Sequence, residues 1–356
     1  MNELNREKLY RTLTSLDIFV DRSLRLKPKS ATLSGFHYNR DLIYAATANT
    51  YLETVGNKAD SIHLTIKSVP ISNIYWEYLK MVKLLGKRCK LEEKQVMLAL
   101  DYTDEEFYGK VETFWIYGWT GKKGVTGKFK FLTCALVNGD LKIPLLSIPI
   151  HMGCSMARDV AFCLSLVKPL VGSIELVLFD RGFYSKDLML TLTRCEYPYL
   201  IFVPKNAKVK SELEEMAKDE RKTIHYEFKL NKDKTTQKGS TTLAFLKQVF
   251  DPKSERDYDW AFATNLEDVD LDHIIGAYKQ RWRIETGFRI QDEARIKSKS
   301  KDVKIRFFYF TYEQALQLIW SVIYKGEVAF KRFLILLNET GKESAEKAER
   351  RARGST

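Results

Sequence analysis

The strongest constraint in this sequence is a set of short segments whose apolar residues run together without alternation: Val96 to Leu100, Ile174 to Phe179 and Tyr197 to Val203. Side chains alternate faces along a strand, so runs like these are covered on both sides, as in the centre of a sheet flanked by helices. Ser155 to Leu170 and Tyr184 to Arg194 read as helices and lie between the runs. Phe129 to Val137 and Leu141 to Ile150 read as a hairpin around Asn138-Gly139-Asp140, since Asn-Gly favours tight turns. An antiparallel meander followed by two strand-helix units predicts an α/β fold with a mixed sheet and helices on its faces.

The flanking regions have a different character. From Asn2 to about Lys94 apolar residues recur at helical spacing, clearest in Ile71, Ile74, Tyr75, Tyr78, Val82 and Leu85 after Pro70. This block holds sixteen Lys/Arg against ten Asp/Glu, which suits either a DNA-binding module or a solvated helical bundle. Lys205 to about Tyr258 is polar and lysine-rich, with strand-like alternation at Ile224 to Leu230 and a flexible turn expected at Asp233 to Ser240, so it reads as an insertion. Trp260 to Thr264 returns to strand character, and Leu271 to about Gln291 reads as one long helix. Thr311 with Gln314 offers a capping box before a further helix, and the residues from Gly341 onward read as a charged, solvated tail.

Charge narrows the partners. The chain has 58 Lys+Arg and 46 Asp+Glu, a formal net charge of +12, which favours a polyanion: nucleic acid first, an anionic membrane second. No stretch reaches the roughly 18 consecutive apolar residues of a membrane span, and Gln314 to Tyr324 is a helix-sized core segment. Met1 to Arg11 is polar and carries no signal-peptide pattern, and Cys89, Cys134, Cys154, Cys163 and Cys195 lack disulfide or zinc spacing. A reducing cytoplasm is the expected location, with no membrane partner.

Three carboxylates stand out. Asp101 closes the run Val96 to Leu100, and Asp180 closes Ile174 to Phe179 and opens Asp180-Arg181-Gly182-Phe183. A strand-end carboxylate sits at the rim of a sheet, where a ligand can reach a rigidly held side chain, although such a residue alone also serves as a turn or cap. On the third segment, Tyr278, Arg281 and Glu285 fall within roughly 60° on a helix, flanked by apolar residues, so the polar trio should face the protein. The plain alternative is an Arg281 to Glu285 salt bridge at i, i+4. Three clustered anions repel one another, and divalent cations, magnesium above all, relieve that repulsion while leaving positions for phosphate oxygens. His37, His63, His151, His225 and His273 are scattered and suggest no ligand set.

Together these residues resemble the acidic triad of DDE transposases of insertion sequences. Leu98-Ala99-Leu100-Asp101-Tyr102-Thr103, Asp180-Arg181-Gly182-Phe183-Tyr184-Ser185 and Tyr278-x-x-Arg281-x-x-x-Glu285 are similar to that family's three motifs, the last being its tyrosine-arginine-glutamate-lysine signature. The resemblance implies a ribonuclease H-like catalytic domain over 95–305 with a mainly β insertion at about 205–258, an N-terminal DNA-binding domain over 1–94, and C-terminal helices and tail over 306–356. It also implies that Asp101, Asp180 and Glu285 are catalytic and bind magnesium as two ions, with manganese able to substitute. Tyr278 and Arg281 would contact phosphates, and Trp260 would stack on a flipped base, though a strand-borne Trp is more often core. The substrate would be double-stranded DNA, transposon ends and target, bound by a homodimer in the prokaryotic nucleoid.

One position departs from the pattern: the signature lysine is Asp292, so Arg289, Arg295 or Lys297 would have to replace its charge. Tyr278 to Arg306 holds ten Lys/Arg and four acidic residues, which keeps phosphate contact as the expectation. Two alternatives stay open: a ribonuclease H-like nuclease without strand transfer, and a transposase-derived DNA-binding protein that has lost catalysis.

Overall fold

A computed structural model describes residues 5–26, 34–56, 58–139, 142–232, 235–252 and 254–354. Four helices come first: α1 (Arg6–Ser23), α2 (Gly35–Ala48), α3 (Ala59–Ser68) and α4 (Ile71–Gly86). Pro70 precedes the first turn of α4, and Ile74, Tyr78, Val82 and Leu85 form its buried stripe. Then follow β1 (Gln95–Phe107), β2 (Tyr117–Gly118), β3 (Gly127–Leu136), β4 (Ile143–Ile150), α5 (Met156–Val167), β5 (Ser173–Phe179), α6 (Lys186–Arg194) and β6 (Tyr199–Phe202). The β3–β4 hairpin forms as its sequence predicts, with Gly139 at φ 69° and Asn138 accepting from the Met97 N–H at 3.0 Å; Asp140 and Leu141 lie outside the described residues.

The strands order as β4-β3-β1-β5-β6, with β3 and β4 antiparallel and β1, β5 and β6 parallel, the mixed α/β sheet expected for a ribonuclease H-like domain. Val96, Leu98 and Leu100 share one core with Val160 and Leu164 of α5. Ala99 shares the core of the opposite face with Leu178 and Leu200. Asp101 points to this second face. Its cross-strand neighbour Thr133 is hydrogen-bonded to Ser147 on β4 at 2.8 Å, and Ser147 donates to Gln314 at 3.0 Å.

After α7 (Ala207–Glu214), the insertion forms the long hairpin β7 (Arg221–Lys232) and β8 (Thr235–Asp251), and β9 (Arg256–Thr264) returns to β6. The insertion therefore extends the same sheet in the order β6-β9-β8-β7. A buried lock fixes the junction: Tyr199 Oη donates to Thr241 Oγ1 at 3.0 Å, Thr241 to the Thr264 carbonyl at 2.9 Å, and Thr264 Oγ1 to the Tyr199 carbonyl at 2.6 Å. The flexible turn expected at Asp233 to Ser240 does not extend over Thr235 to Ser240, which belong to β8 and pair with β7; Asp233 and Lys234 lie outside the described residues.

Two other expectations are corrected. The helix expected from Leu271 to Gln291 is two, α8 (Ile274–Lys279) and α9 (Trp282–Gln291). Between them backbone bonds tighten to three-residue spacing, Arg281 N–H to the Tyr278 carbonyl at 2.9 Å and Ile284 N–H to the Arg281 carbonyl at 3.0 Å. Thr311 and Gln314 are not a capping box but lie inside α10 (Val303–Ile319), whose true N-cap is Asp302, accepting from the Lys304 N–H at 2.8 Å. Asp302→Ala should therefore lower unfolding free energy by about 1 kcal/mol in urea denaturation, the usual worth of such a cap. The charged tail from Gly341 is helical, the end of α11 (Phe330–Gly354), with Glu346 to Arg350 exposed. α10 is buried along nearly its whole length, between α3, α4 and β4, and α11 packs on α1 and α2.

Candidate active site

Strand pairing brings the two aspartates together. β1 and β5 run parallel, with Leu100 opposite Phe179 as the last pair, so Asp101 and Asp180 follow side by side at neighbouring strand positions. Asp180 caps a short turn, Arg181–Phe183, and is half-buried. The tightened helix junction lies across them. At three-residue spacing side chains eclipse, which sets the Arg281 guanidinium 5.6 Å from the centre of the Tyr278 ring.

Arg281 is the hub of the site. Its side chain is 6% exposed, and it donates to Asp101 Oδ2 at 3.2 Å and to Glu285 Oε1 at 2.7 Å. The Arg281 to Glu285 salt bridge thus forms, but as one arm of a bridge that also reaches β1. Arg281 Nε is buried without a hydrogen-bond partner. Glu285 is half-exposed.

Burial pushes the Asp101 carboxyl up to about 6; the Arg281 charge and the Tyr102 N–H, at 2.8 Å, oppose this, while Asp180 and Glu285 reinforce it. Burial also pushes the Tyr278 hydroxyl up to about 12. Its ring packs on Phe202, Trp260 and Phe262, and Trp260 stacks on Phe262 at 14° between ring planes, half-buried.

The basic residues singled out in the sequence lie further along. Arg289 and Lys297 are exposed, and Arg295 is half-buried beside Asp292 in a cavity of about 100 Å³. The same cavity is lined by Thr103, Glu105, Gln291 and Glu313. Glu105 and its partner Arg306 were missed in the sequence. Their ion pair, 3.1 Å with side chains 14% and 4% exposed, ties β1 to α10. Asp101, Thr103 and Glu105 stand two apart, so all three face the same side of β1, and that polar alternation was the available signal. Burial raises Glu105 above the usual carboxylate range against the pull of Arg306.

Asp101 lies midway along β1 and not at its end as expected, because β1 outruns β5 and stays paired with β3 as far as Phe107; only Asp180 closes its strand, and α9 brings a third carboxylate to the pair. Residues 94–302 match the family model described as the transposase DDE domain. The chain belongs to that family. Among solved structures it is similar to a piggyBac transposase in a cryo-EM synaptic complex with hairpin DNA, at a TM-score of 0.57 and 11% identity over 97% of this chain and 82% of that one. At that identity the likeness bears on fold alone. No curated protein matches the sequence. No helix among the described residues is long and apolar enough to cross a membrane.

Proposed function

We propose that this protein is a cut-and-paste transposase of the insertion-sequence type, which binds terminal inverted repeats as a homodimer, cleaves the element's ends and joins the freed 3′-hydroxyl to target DNA. The observation that carries this reading is Asp101 on β1 beside Asp180 just past the end of the adjacent parallel strand β5, with Glu285 linked to Asp101 through Arg281. The N-terminal helices up to about residue 94 and the basic stretch Tyr278 to Arg306 supply phosphate contacts on either side.

The donor set suits magnesium, since all three side chains offer hard carboxylate oxygens. Asp101, Asp180 and Glu285 would hold it. When bound, it supplies charge neutralisation at phosphorus and activation of water or a 3′-hydroxyl. Among the described residues no three acidic, histidine or cysteine side chains converge on one point. Arg281 instead spans Asp101 and Glu285, neutralising part of their repulsion. In the working enzyme Arg281 turns toward a DNA phosphate, which releases both carboxylates. Arg289, Arg295 and Lys297 supply the charge that Asp292 does not.

The test is incubation of the purified protein with labelled end-containing DNA, a supercoiled target and magnesium. Joined products are expected. Cut ends without joining would make the protein a nuclease, and end binding without cleavage, the same in wild type and Asp101→Ala, would make it a DNA-binding derivative.

A further inference from the structure

Beyond the triad, two features meet close to the catalytic face. The first is the non-helical stretch between α9 and α10, Arg295-Ile296-Lys297-Ser298-Lys299-Ser300-Lys301. Lys297, Lys299 and Lys301 are exposed, Ile296 is buried, and Ser298 and Ser300 are half-buried, which is the period of two of an extended chain. Alternate side chains on such a chain stand about 6.6 Å apart, close to the separation of successive phosphates along one nucleic-acid strand.

This comb is held rigidly at several points. Lys297 N–H donates to the Thr50 carbonyl at 3.0 Å, and Lys299 Nζ lies 5.1 Å from the centre of the Tyr51 ring, which ties it to the N-terminal helices. Arg306 Nε donates to the Ser300 carbonyl at 3.0 Å while the same guanidinium holds Glu105. Glu105 lies four residues along β1 from Asp101, about 13 Å at strand spacing, so the comb passes near the catalytic acids.

The second feature is the loop between β1 and β2. Lys301 ends the comb by pairing with Glu112 at 2.9 Å, and two residues further on is Phe114. At 75%, Phe114 is the most exposed large apolar side chain among the described residues. Its backbone is nonetheless fixed in place: its carbonyl accepts from the Met152 N–H at 2.8 Å, and next to it Trp115 packs edge-on against His151 and Ile116 is fully buried. An exposed phenyl ring on an anchored backbone, beside a row of lysines, has the two elements with which proteins hold unpaired strands, charge for the backbone and a ring for a base.

We propose that this comb and loop form a track for a single, unpaired DNA strand, with Lys297, Lys299 and Lys301 taking successive phosphates and Phe114 stacking on a base. A duplex offers the phenyl ring only base-pair edges, so the ring selects unpaired DNA. The proposal rests on the transposase reading for the strand being DNA.

Fluorescence anisotropy of a labelled 15-nucleotide single strand and of its duplex, without magnesium and over a salt series, tests it on the full chain. Phe114→Ala should weaken single-strand binding at least about fivefold, the low end of 1–3 kcal/mol per stacked base, with the salt slope unchanged and duplex affinity kept within twofold. Phe114→Trp should restore it. The triple variant Lys297→Ala, Lys299→Ala, Lys301→Ala should reduce the single-strand salt slope by about 2, at roughly 0.7 per phosphate contact. Single-strand binding unchanged by Phe114→Ala, or a slope unchanged in the triple variant, would overturn the proposal. Since these are binding measurements, a chain that fails to cleave can still pass or fail them, which keeps this outcome separate from the cleavage assay.

Discussion

Asn in place of Asp101 is expected to abolish DNA cleavage and, at the same time, to stabilise the protein above pH 6. The Asp101 carboxyl is raised from 3.8 to about 6, mainly by burial. A raised carboxyl binds its proton more tightly in the folded chain than in the unfolded one, so folding loses stability as pH rises from about 4 to 6 and bears the full cost above that. At 1.36 kcal/mol per unit the cost comes to about 3 kcal/mol. Asp101→Asn removes it, so urea unfolding should show the variant more stable at pH 8 and converging on wild type below about pH 4. A uniform gain at all pH values would refute this origin. Millimolar magnesium should stabilise wild type and not the variant, and cleavage should fall by at least about a thousandfold, several kcal/mol of lost charge stabilisation.

Breaking the Glu105–Arg306 pair should produce the largest loss of stability. Arg306 is 4% exposed in its side chain and contacts Glu105, the Ser300 carbonyl and the Phe129 ring. Arg306→Met fills the space but leaves a buried carboxylate without its partner, which typically costs about 3–5 kcal/mol. Glu105→Gln together with Arg306→Met should recover much of that, because no net charge stays buried. The single variant's deficit should also shrink as pH falls and Glu105 takes up a proton. If the double variant were as unstable as the single, the cost would lie in packing against Phe129 and not in charge.

Much of the sheet could be read in advance, because doubly apolar runs such as Val96 to Leu100 leave a chain few places to put them. Asp101 and Asp180 were legible for the same reason: each ends a run whose direction the intervening helices set. Glu285 was legible through its spacing from Tyr278 and Arg281, but the break at Gln280 was not, since helical periodicity passes through a tightened turn unchanged. The capping box failed because Thr311 and Gln314 carry the right residue types inside a helix whose real start, Asp302, follows an irregular stretch. The Glu105–Arg306 pair joins residues 201 apart, a separation that local patterning cannot bridge.

The continuity of the sheet from β4 to β7 bears on how such a chain can change over evolutionary time. The insertion departs after β6 and returns as β9 beside it, with the Tyr199, Thr241 and Thr264 lock closing the gap. New sequence added at the β7–β8 end therefore grows outward from an open edge, far from the junction. The hairpin could be lengthened, shortened or exchanged between lineages while Asp180 and the α8–α9 junction stay in register. Change at that edge leaves the pairing that holds Asp101 beside Asp180 untouched.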